Sequence, residues 1–310
     1  MLTHAGPFRG TAGVSSPSSY PLRIGALILP EHPWAEAISR WRRAEELGFA
    51  HAWTYDHLTW RGHRDRAWFG AIPTLTAAAM ASTRLRLGPL VASPTFRHPV
   101  PFAKELITLD DISGGRLTLG IGAGSSGWDT EMLGHEPWSR AERTRRFEEF
   151  VALTDRLLRS PEVSHQGRYY SAHEARTYPG CVQQPRIPFA IAATGPRGMR
   201  LAARYAQTWV TTGDRSRTGP VSGDRATKDV AAQMARLDEA CREVGRDPAS
   251  VDRLVVTGPL LDSGLASPGR FADVAAAYAG IGVTDLVVPW PRPTEPYAAD
   301  EAIFERIFSA

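Results

Sequence analysis

The sequence predicts an α/β protein, a closed (β/α)8 TIM barrel, on three observations. Eight short apolar runs alternate with eight helical patterns along 310 residues. No long linker splits that alternation into two domains. It is interrupted once, by an insertion around residues 161–188, where QGRYY and YPG mark a hairpin or extended piece. A barrel of about 250 residues plus insertions accounts for the length. A doubly wound sheet is the rival.

The elements follow in order. Residues 23–29 (RIGALIL) are the first strand, stopped by Pro30. Trp34, Ala37, Ile38, Trp41, Ala44 and Leu47 recur at helical spacing, and Gly48 ends that helix. Residues 50–55 are the second strand, followed by a long loop, 56–70. A helix over 72–81 leads to the third strand, 84–92, and the loop SPTFRHP, 93–99. Val100, Ala103, Leu106 and Ile107 mark the next helix, stopped at Gly114-Gly115. Residues 116–121 are a fourth strand, apolar enough to be buried on both faces. A glycine-rich loop and an irregular piece, 128–140, follow. Phe147, Phe150, Val151, Leu157 and Leu158 then line a long helix. After the insertion come a strand over 189–193, a helix over 196–205 and a strand over 208–212. The polar stretch 216–227 reads as a loop before a helix over 230–244. Strands over 251–261 and 285–289, with helices over 271–279 and 299–308, complete the alternation.

Composition narrows the classes. A hydrophobic content of 43% with 22% charged residues excludes a disordered chain. The net charge of +3, from 36 basic and 33 acidic residues, is too small to argue for nucleic acid. It suits an ordinary surface or an anionic cofactor. Cys181 and Cys241 lie far apart, outside any CxxC, so neither a zinc site nor a disulfide framework is expected. No apolar run approaches the roughly 20 residues of a membrane span. Residues 1–20 lack the apolar centre of a signal peptide and read as a poorly ordered tail before a barrel spanning 21–310. A cytoplasmic protein is expected, without nucleic-acid or membrane partners.

Three candidate sites fall at strand ends, where parallel α/β proteins carry their chemistry. The first is Gly122-Ala123-Gly124, which with Gly127 formally fits GxGxxG. A dinucleotide fingerprint needs those glycines to open a helix directly, and Gly134 and Pro137 interrupt one, so that reading is rejected. Small residues there allow close approach of a planar ring, or simply serve a turn. The second is Ala193-Thr194-Gly195-Pro196. Thr194 is expected to cap a helix with Pro196 at its first position, leaving free N–H groups for a phosphate. Arg197 adds charge or faces water. The third is Asp56-His57, with Trp60 behind it. Histidine titrates near neutral pH and moves protons. Asp56 orients His57, accepts a hydrogen bond from a cofactor ring, or makes a local turn. Arg97-His98 reads as a loop-fixing pair. Trp60, Trp68, Trp128, Trp138 and Trp290 fall after strands and are candidates to wall a pocket for a flat ligand, whereas Trp34, Trp41 and Trp53 are assigned to packing.

Several stretches together resemble the luciferase-like monooxygenase superfamily of flavin- and deazaflavin-dependent oxidoreductases. They are AEELGFAHAWTYDHL (44–58), RLRLGPLVASPTFRHP (84–99), LDDISGGRLTLGIGAG (109–124), GWDTEMLG (127–134), RRFEEF (145–150), QGRYY (166–170) and AATGPRGMRLAARYA (192–206). The resemblance implies a (β/α)8 barrel, commonly a homodimer, with its cofactor in the C-terminal mouth. It implies that Ala193, Thr194, Gly195 and Pro196 hold phosphate and that Gly122, Ala123 and Gly124 border the cofactor. Leu90–Val91 corresponds to a non-proline cis peptide against the ring, with Ser93 beside it. Asp-His followed by a tryptophan resembles the branch that uses coenzyme F420. On that analogy Asp56 contacts the cofactor, His57 assists proton transfer, and Trp60 holds the substrate. Ser125 replaces the acid of sugar-phosphate dehydrogenase members, with Glu131 the candidate stand-in. Gln207 also replaces the usual acid before the sixth strand. The expectation is hydride transfer between F420 and a small organic substrate. The alternatives are an FMN-dependent monooxygenase served by a separate reductase, and a non-enzymatic flavin-binding barrel. No metal is expected.

Overall fold

The computed structural model describes residues 20–60, 63–125, 127–214, 216, 221–258 and 260–309. Its first strand is β1 (Arg23–Leu27), followed by α1 (Trp34–Glu46), β2 (His51–Thr54), α2 (Ala71–Ala81), β3 (Arg86–Pro89), α3 (Pro99–Ile112) and β4 (Leu119–Gly122). A short helix α4 (Trp128–Met132) and a long one, α5 (Arg140–Arg159), come next. The insertion is an antiparallel hairpin of β5 (Glu162–Gln166) and β6 (Ser171–Arg176). The alternation then resumes with β7 (Phe189–Ala192), α6 (Pro196–Tyr205), β8 (Thr208–Thr211), α7 (Gly223–Glu243), β9 (Asp252–Val256), α8 (Pro268–Gly280), β10 (Asp285–Pro289) and α9 (Glu301–Phe308).

Eight strands form one parallel sheet in the order β3-β2-β1-β10-β9-β8-β7-β4. Its two edges meet, because Leu87 bridges Leu117 and Ala92 bridges Ile121. The architecture is therefore the expected (β/α)8 barrel. Strand residues alternate between its two faces. Leu27, Trp53, Ala190, Val210, Leu254, Val256 and Val287 fill the interior, while Ile24, Ala26, Ala52, Phe189, Trp209 and Val288 pack outward on helices. Burial on both faces is why these strands are continuous apolar runs.

Glycines make room for the bulky interior residues. A Cβ on Gly88 would lie 2.6 Å from the Trp53 ring, and one on Gly25 would overlap His51. The lower end of the barrel is closed by a polar plug. Arg23 donates to Asp285 at 2.7 and 2.6 Å and to Asp252 at 2.7 Å. Trp53 Nε1 donates to His51 Nδ1 at 2.6 Å, so His51 carries its proton on Nε2, 3.1 Å from Asp285 Oδ1. The hairpin is tied on through Asp110, which accepts from the Gln183 backbone and amide at 3.1 and 2.7 Å.

The sequence reading differs in particulars. Residues 128–140 contain the turn and a half of α4 rather than only irregular chain. Helix α7 begins at Gly223, inside the stretch assigned to a loop. Its first turns carry Asp224, Arg225, Thr227 and Lys228, whose polarity hides an amphipathic pattern. Of the expected tail, 1–19 lie outside the described residues. Tyr20 packs edge-on against Phe271, ring centroids 4.9 Å apart, and donates to the Ile307 carbonyl at 3.1 Å.

Candidate active site

The C-terminal strand ends gather the candidate residues on one rim. Asp56, just past β2, is buried, and both its oxygens meet Arg97, at 2.6 and 2.8 Å. Burial opposes the charge on Arg97, but its bonds to Asp56 and the nearby Glu105 raise its pKa above the ordinary value. Asp56 therefore pins the loop after β3 and does not orient His57. His98 caps α3, accepting from Val100 N at 3.2 Å, which matches the loop-fixing reading.

His57 has another partner. Its Nδ1 lies 2.6 Å from Asp129 Oδ2, while Asp129 Oδ1 accepts from Leu58 N at 2.7 Å. Trp68 Nε1 donates to the His57 carbonyl at 2.9 Å. A carboxylate accepts, so Nδ1 holds the proton and Nε2 is the acceptor nitrogen of the neutral ring. The His57 side chain is 27% exposed and that of Asp129 10%, which leaves the imidazole reachable and its anchor shielded. Sequence reasoning missed Asp129. The signal was its place in the first turn of a helix that the glycines appeared to forbid, a position where an acid suits the helix dipole. Glu131, the expected stand-in acid, is exposed. Two positions along α4 from Asp129, it does not share that residue's face.

Trp60 is buried in an aromatic stack. Its ring centroid lies 5.7 Å from Trp68, 5.6 Å from His63 and 6.0 Å from Tyr297. Beneath the stack Glu31 accepts from Arg292 at 2.6 and 2.8 Å and lies 3.1 Å from His63 Nε2. This clamp joins the segments after β1, β2 and β10. Of the other tryptophans of the expected wall, Trp290 and Trp138 lie elsewhere, whereas Trp128 adjoins Asp129 in α4. Trp290 packs with Phe49 and Phe304 in the outer layer, Trp138 lies under Arg146, and Trp128 carries Arg64 on its exposed ring.

Across the mouth the Leu90–Val91 peptide is cis. A Cβ on Gly122 would lie 2.6 Å from Val91 Cγ2 and 3.7 Å from the Ala192 Cβ. Gly124 adopts φ +74°, and a Cβ there would overlap Thr95 and approach the Ser93 Cβ at 3.3 Å. The glycines are thus required by the neighbouring loop of this same chain. Ala123 is partly buried between them. At α6, Gly195 rather than Thr194 is the N-cap, without a side-chain bond, and Pro196 occupies the first turn as expected. The N–H groups of Arg197 and Gly198 fall in that turn, where a helix supplies no acceptor. Arg140 Nη2 lies 3.7 Å from where a Gly195 Cβ would stand. Arg197 itself is paired with Glu148. Ala193 is buried, its carbonyl accepting from Trp209 Nε1 at 2.8 Å, and Thr194 and Pro196 are exposed. These open donors and the nearby guanidinium fit an anionic phosphate.

Such a rim, polar and assembled from several loops at the C-terminal face, is where barrel enzymes carry their sites. The chain belongs to the luciferase-like monooxygenase family, which residues 12–263 match, and it is an enzyme of that family. It is 32% identical over 240 residues to 4-hydroxyprotoasukamycin monooxygenase of Streptomyces nodosus subsp. asukaensis, covering 75% of this chain and 62% of that one, less than two thirds of its length. It is 31% identical over 308 residues to an F420-dependent glucose-6-phosphate dehydrogenase of Beutenbergia cavernae, covering 84% of this chain and 87% of that protein. Among solved structures, an F420-dependent secondary alcohol dehydrogenase holding an F420–acetone adduct superposes with a TM-score of 0.75 at 17% identity, covering 92% and 98% of the two chains. That likeness concerns the fold.

Proposed function

We propose that the protein is an F420-dependent oxidoreductase that transfers hydride between the deazaflavin and a small organic substrate. The observation that carries this reading is the His57–Asp129 pair, set on the same rim as the open first turn of α6. The N–H groups of Arg197 and Gly198, with Arg140, would hold the cofactor phosphate. Ala193, Thr194, Gly195 and Pro196 shape that cradle, and Leu90, Val91, Ser93, Gly122, Ala123 and Gly124 would border the ring. A deazaflavin held there would contribute hydride chemistry at its ring. His57 Nε2 takes or gives the accompanying proton, and Asp129 fixes the tautomer and stabilises the imidazolium. Asp56 acts on the cofactor side only through the loop that Arg97 holds. Trp60 and Trp68 keep water from the reacting face.

The relative named as a monooxygenase supports a second reading, an FMN-dependent monooxygenase with a separate reductase. Anaerobic oxidation of reduced F420 by a panel of carbonyl and imine compounds tests the choice. Turnover without oxygen supports hydride transfer. Activity that requires reduced FMN and oxygen supports the second reading. A cytoplasmic homodimer accompanies either reading on the family resemblance, and sedimentation of the purified protein tests the dimer.

A further inference from the structure

We propose that His63 is a positioning residue for the proton-transfer imidazole: locked by Glu31 and Arg292, it places Trp68, and Trp68 places His57. Every link is a measured contact. His63 Nε2 lies 3.1 Å from Glu31 Oε2 and 3.0 Å from Arg292 Nη2. The His63 ring centroid is 5.6 Å from that of Trp60 and 5.6 Å from that of Trp68. Trp68 Nε1 in turn donates to the His57 carbonyl at 2.9 Å.

The series starts from a fixed point. Glu31 follows β1, Arg292 follows β10, and Glu31 accepts from Arg292 Nε and Nη2 at 2.6 and 2.8 Å. Arg292 Nη1 donates to the carbonyls of Pro296 and Thr294 at 2.6 and 3.1 Å. A planar guanidinium engaged through all three nitrogens has one orientation. His63 Nε2 can donate to the carboxylate in one tautomer and accept from the guanidinium in the other, so this edge of its ring is fixed in both. His63 is 2% exposed and its Nδ1 has no hydrogen-bond partner, so packing against the indoles holds the opposite edge. As glue alone the trio offers little, because a buried ion pair roughly recovers its own desolvation and an apolar cluster would serve as well. What it supplies is one geometry for the rings that lie on it.

That geometry reaches the imidazole through one peptide plane. The His57 carbonyl that accepts from Trp68 and the Leu58 N–H that donates to Asp129 Oδ1, at 2.7 Å, belong to the same peptide. A peptide is planar, so fixing its oxygen fixes the direction of its N–H. Asp129 bonds that N–H with one oxygen and His57 Nδ1 with the other, at 2.6 Å. Trp68 therefore aims the N–H that aims the carboxylate that holds the ring. Asp129 stands on α4, a helix of five residues, and follows the loop through these bonds. On the other side of His57, Arg97 holds Asp56. Loosening Trp68 lets the peptide rotate and takes both the ring and the Leu58 N–H off Asp129.

This inference rests on the reading of His57 as the proton-transfer residue, but its first test needs no cofactor. Long-range proton–nitrogen correlation spectra of the full-length, cofactor-free protein report the tautomer of each histidine, and His57→Gln identifies the His57 signals. Wild-type His57 should show the Nδ1–H tautomer alone. Trp68→Phe keeps an aromatic ring without the donor, and His63→Phe keeps a ring without the polar edge. Each should show a mixture with the Nε2–H tautomer. In F420 turnover each should lower kcat about tenfold to a hundredfold, the cost of a misplaced reacting group, with KM within about twofold. Should His63→Phe fail to fold, Trp68→Phe carries the test. A lowered Tm with a single His57 tautomer and unchanged kcat in a folded variant would make the clamp merely structural and overturn the proposal, as would two tautomers in the wild type. Mixed tautomers in the variants of a protein that binds no F420 would leave the positioning role standing and remove the cofactor reading. F420 turnover with one tautomer throughout would do the reverse.

Discussion

The chemistry available to His57 is set by what holds its other nitrogen. Asp129 accepts at Nδ1 and is itself fixed by the Leu58 N–H, so the imidazole keeps one tautomer and one orientation. Removing the ring should lower kcat/KM by about a hundredfold to ten-thousandfold, the usual share of general acid–base catalysis. His57→Ala should leave F420 affinity within about threefold, a change of less than 1 kcal/mol; steady-state kinetics with a binding titration checks both. Asp129→Asn keeps the acceptor for Leu58 but removes the charge that stabilises the imidazolium. It should lower kcat more than it raises KM and alter the pH–rate profile. A stability loss with an unaltered profile would make Asp129 merely structural. Glu131→Gln should leave the kinetics unchanged, because Glu131 is exposed on a different face of α4. It was the candidate stand-in for the acid that Ser125 replaces, but two positions from Asp129 on α4 it does not share the face that meets His57.

Among the elements, the barrel strands were legible because each is apolar on both faces and is followed by a helix with its own stop. Gly48 and Gly114-Gly115 are such stops, and Pro196 begins α6 as read. The rim was less legible because its partners come from loops distant in sequence. Arg97 reaches Asp56 from 41 residues away, and Asp129 reaches His57 from 72. No local period encodes such pairs. The glycines after β4 illustrate the same limit: close approach was foreseen, but the observed neighbours are Val91, Ser93 and Thr95 of the adjoining loop. Gly124→Ala should therefore be destabilising even without ligand, by about 1–3 kcal/mol, through its positive φ and the overlap with Thr95. Urea unfolding of the cofactor-free protein measures this. A neutral result would show that the loop after β3 gives way.

At the scale of the whole molecule, the barrel separates stability from chemistry. Its lower end holds the Arg23–Asp285–His51 plug and its upper end holds the rim. Burial pushes the Asp285 carboxyl up, but bonds from Arg23 and His51 outweigh it and hold its pKa well below the ordinary carboxylate range. A depressed folded-state pKa contributes stability above the unfolded value of 3.8, and that contribution is lost as pH falls through the folded value. The stability of wild-type protein should therefore decline below about pH 4. Asp285→Ala should cost about 3 kcal/mol at neutral pH, the low end for a broken buried pair, because buried His51 loses its carboxylate while half-exposed Arg23 keeps Asp252. The variant should also show a flatter acid limb. Thermal unfolding across pH checks both, and parallel acid limbs would contradict the assignment.

The central claim is that the mouth takes a deazaflavin. It is tested most directly by titrating the full-length protein with oxidised F420 and, separately, with FMN, following cofactor fluorescence. The account predicts saturable F420 binding at least about tenfold tighter than FMN binding, a difference of about 1.4 kcal/mol. Tight FMN binding with no F420 binding would contradict it.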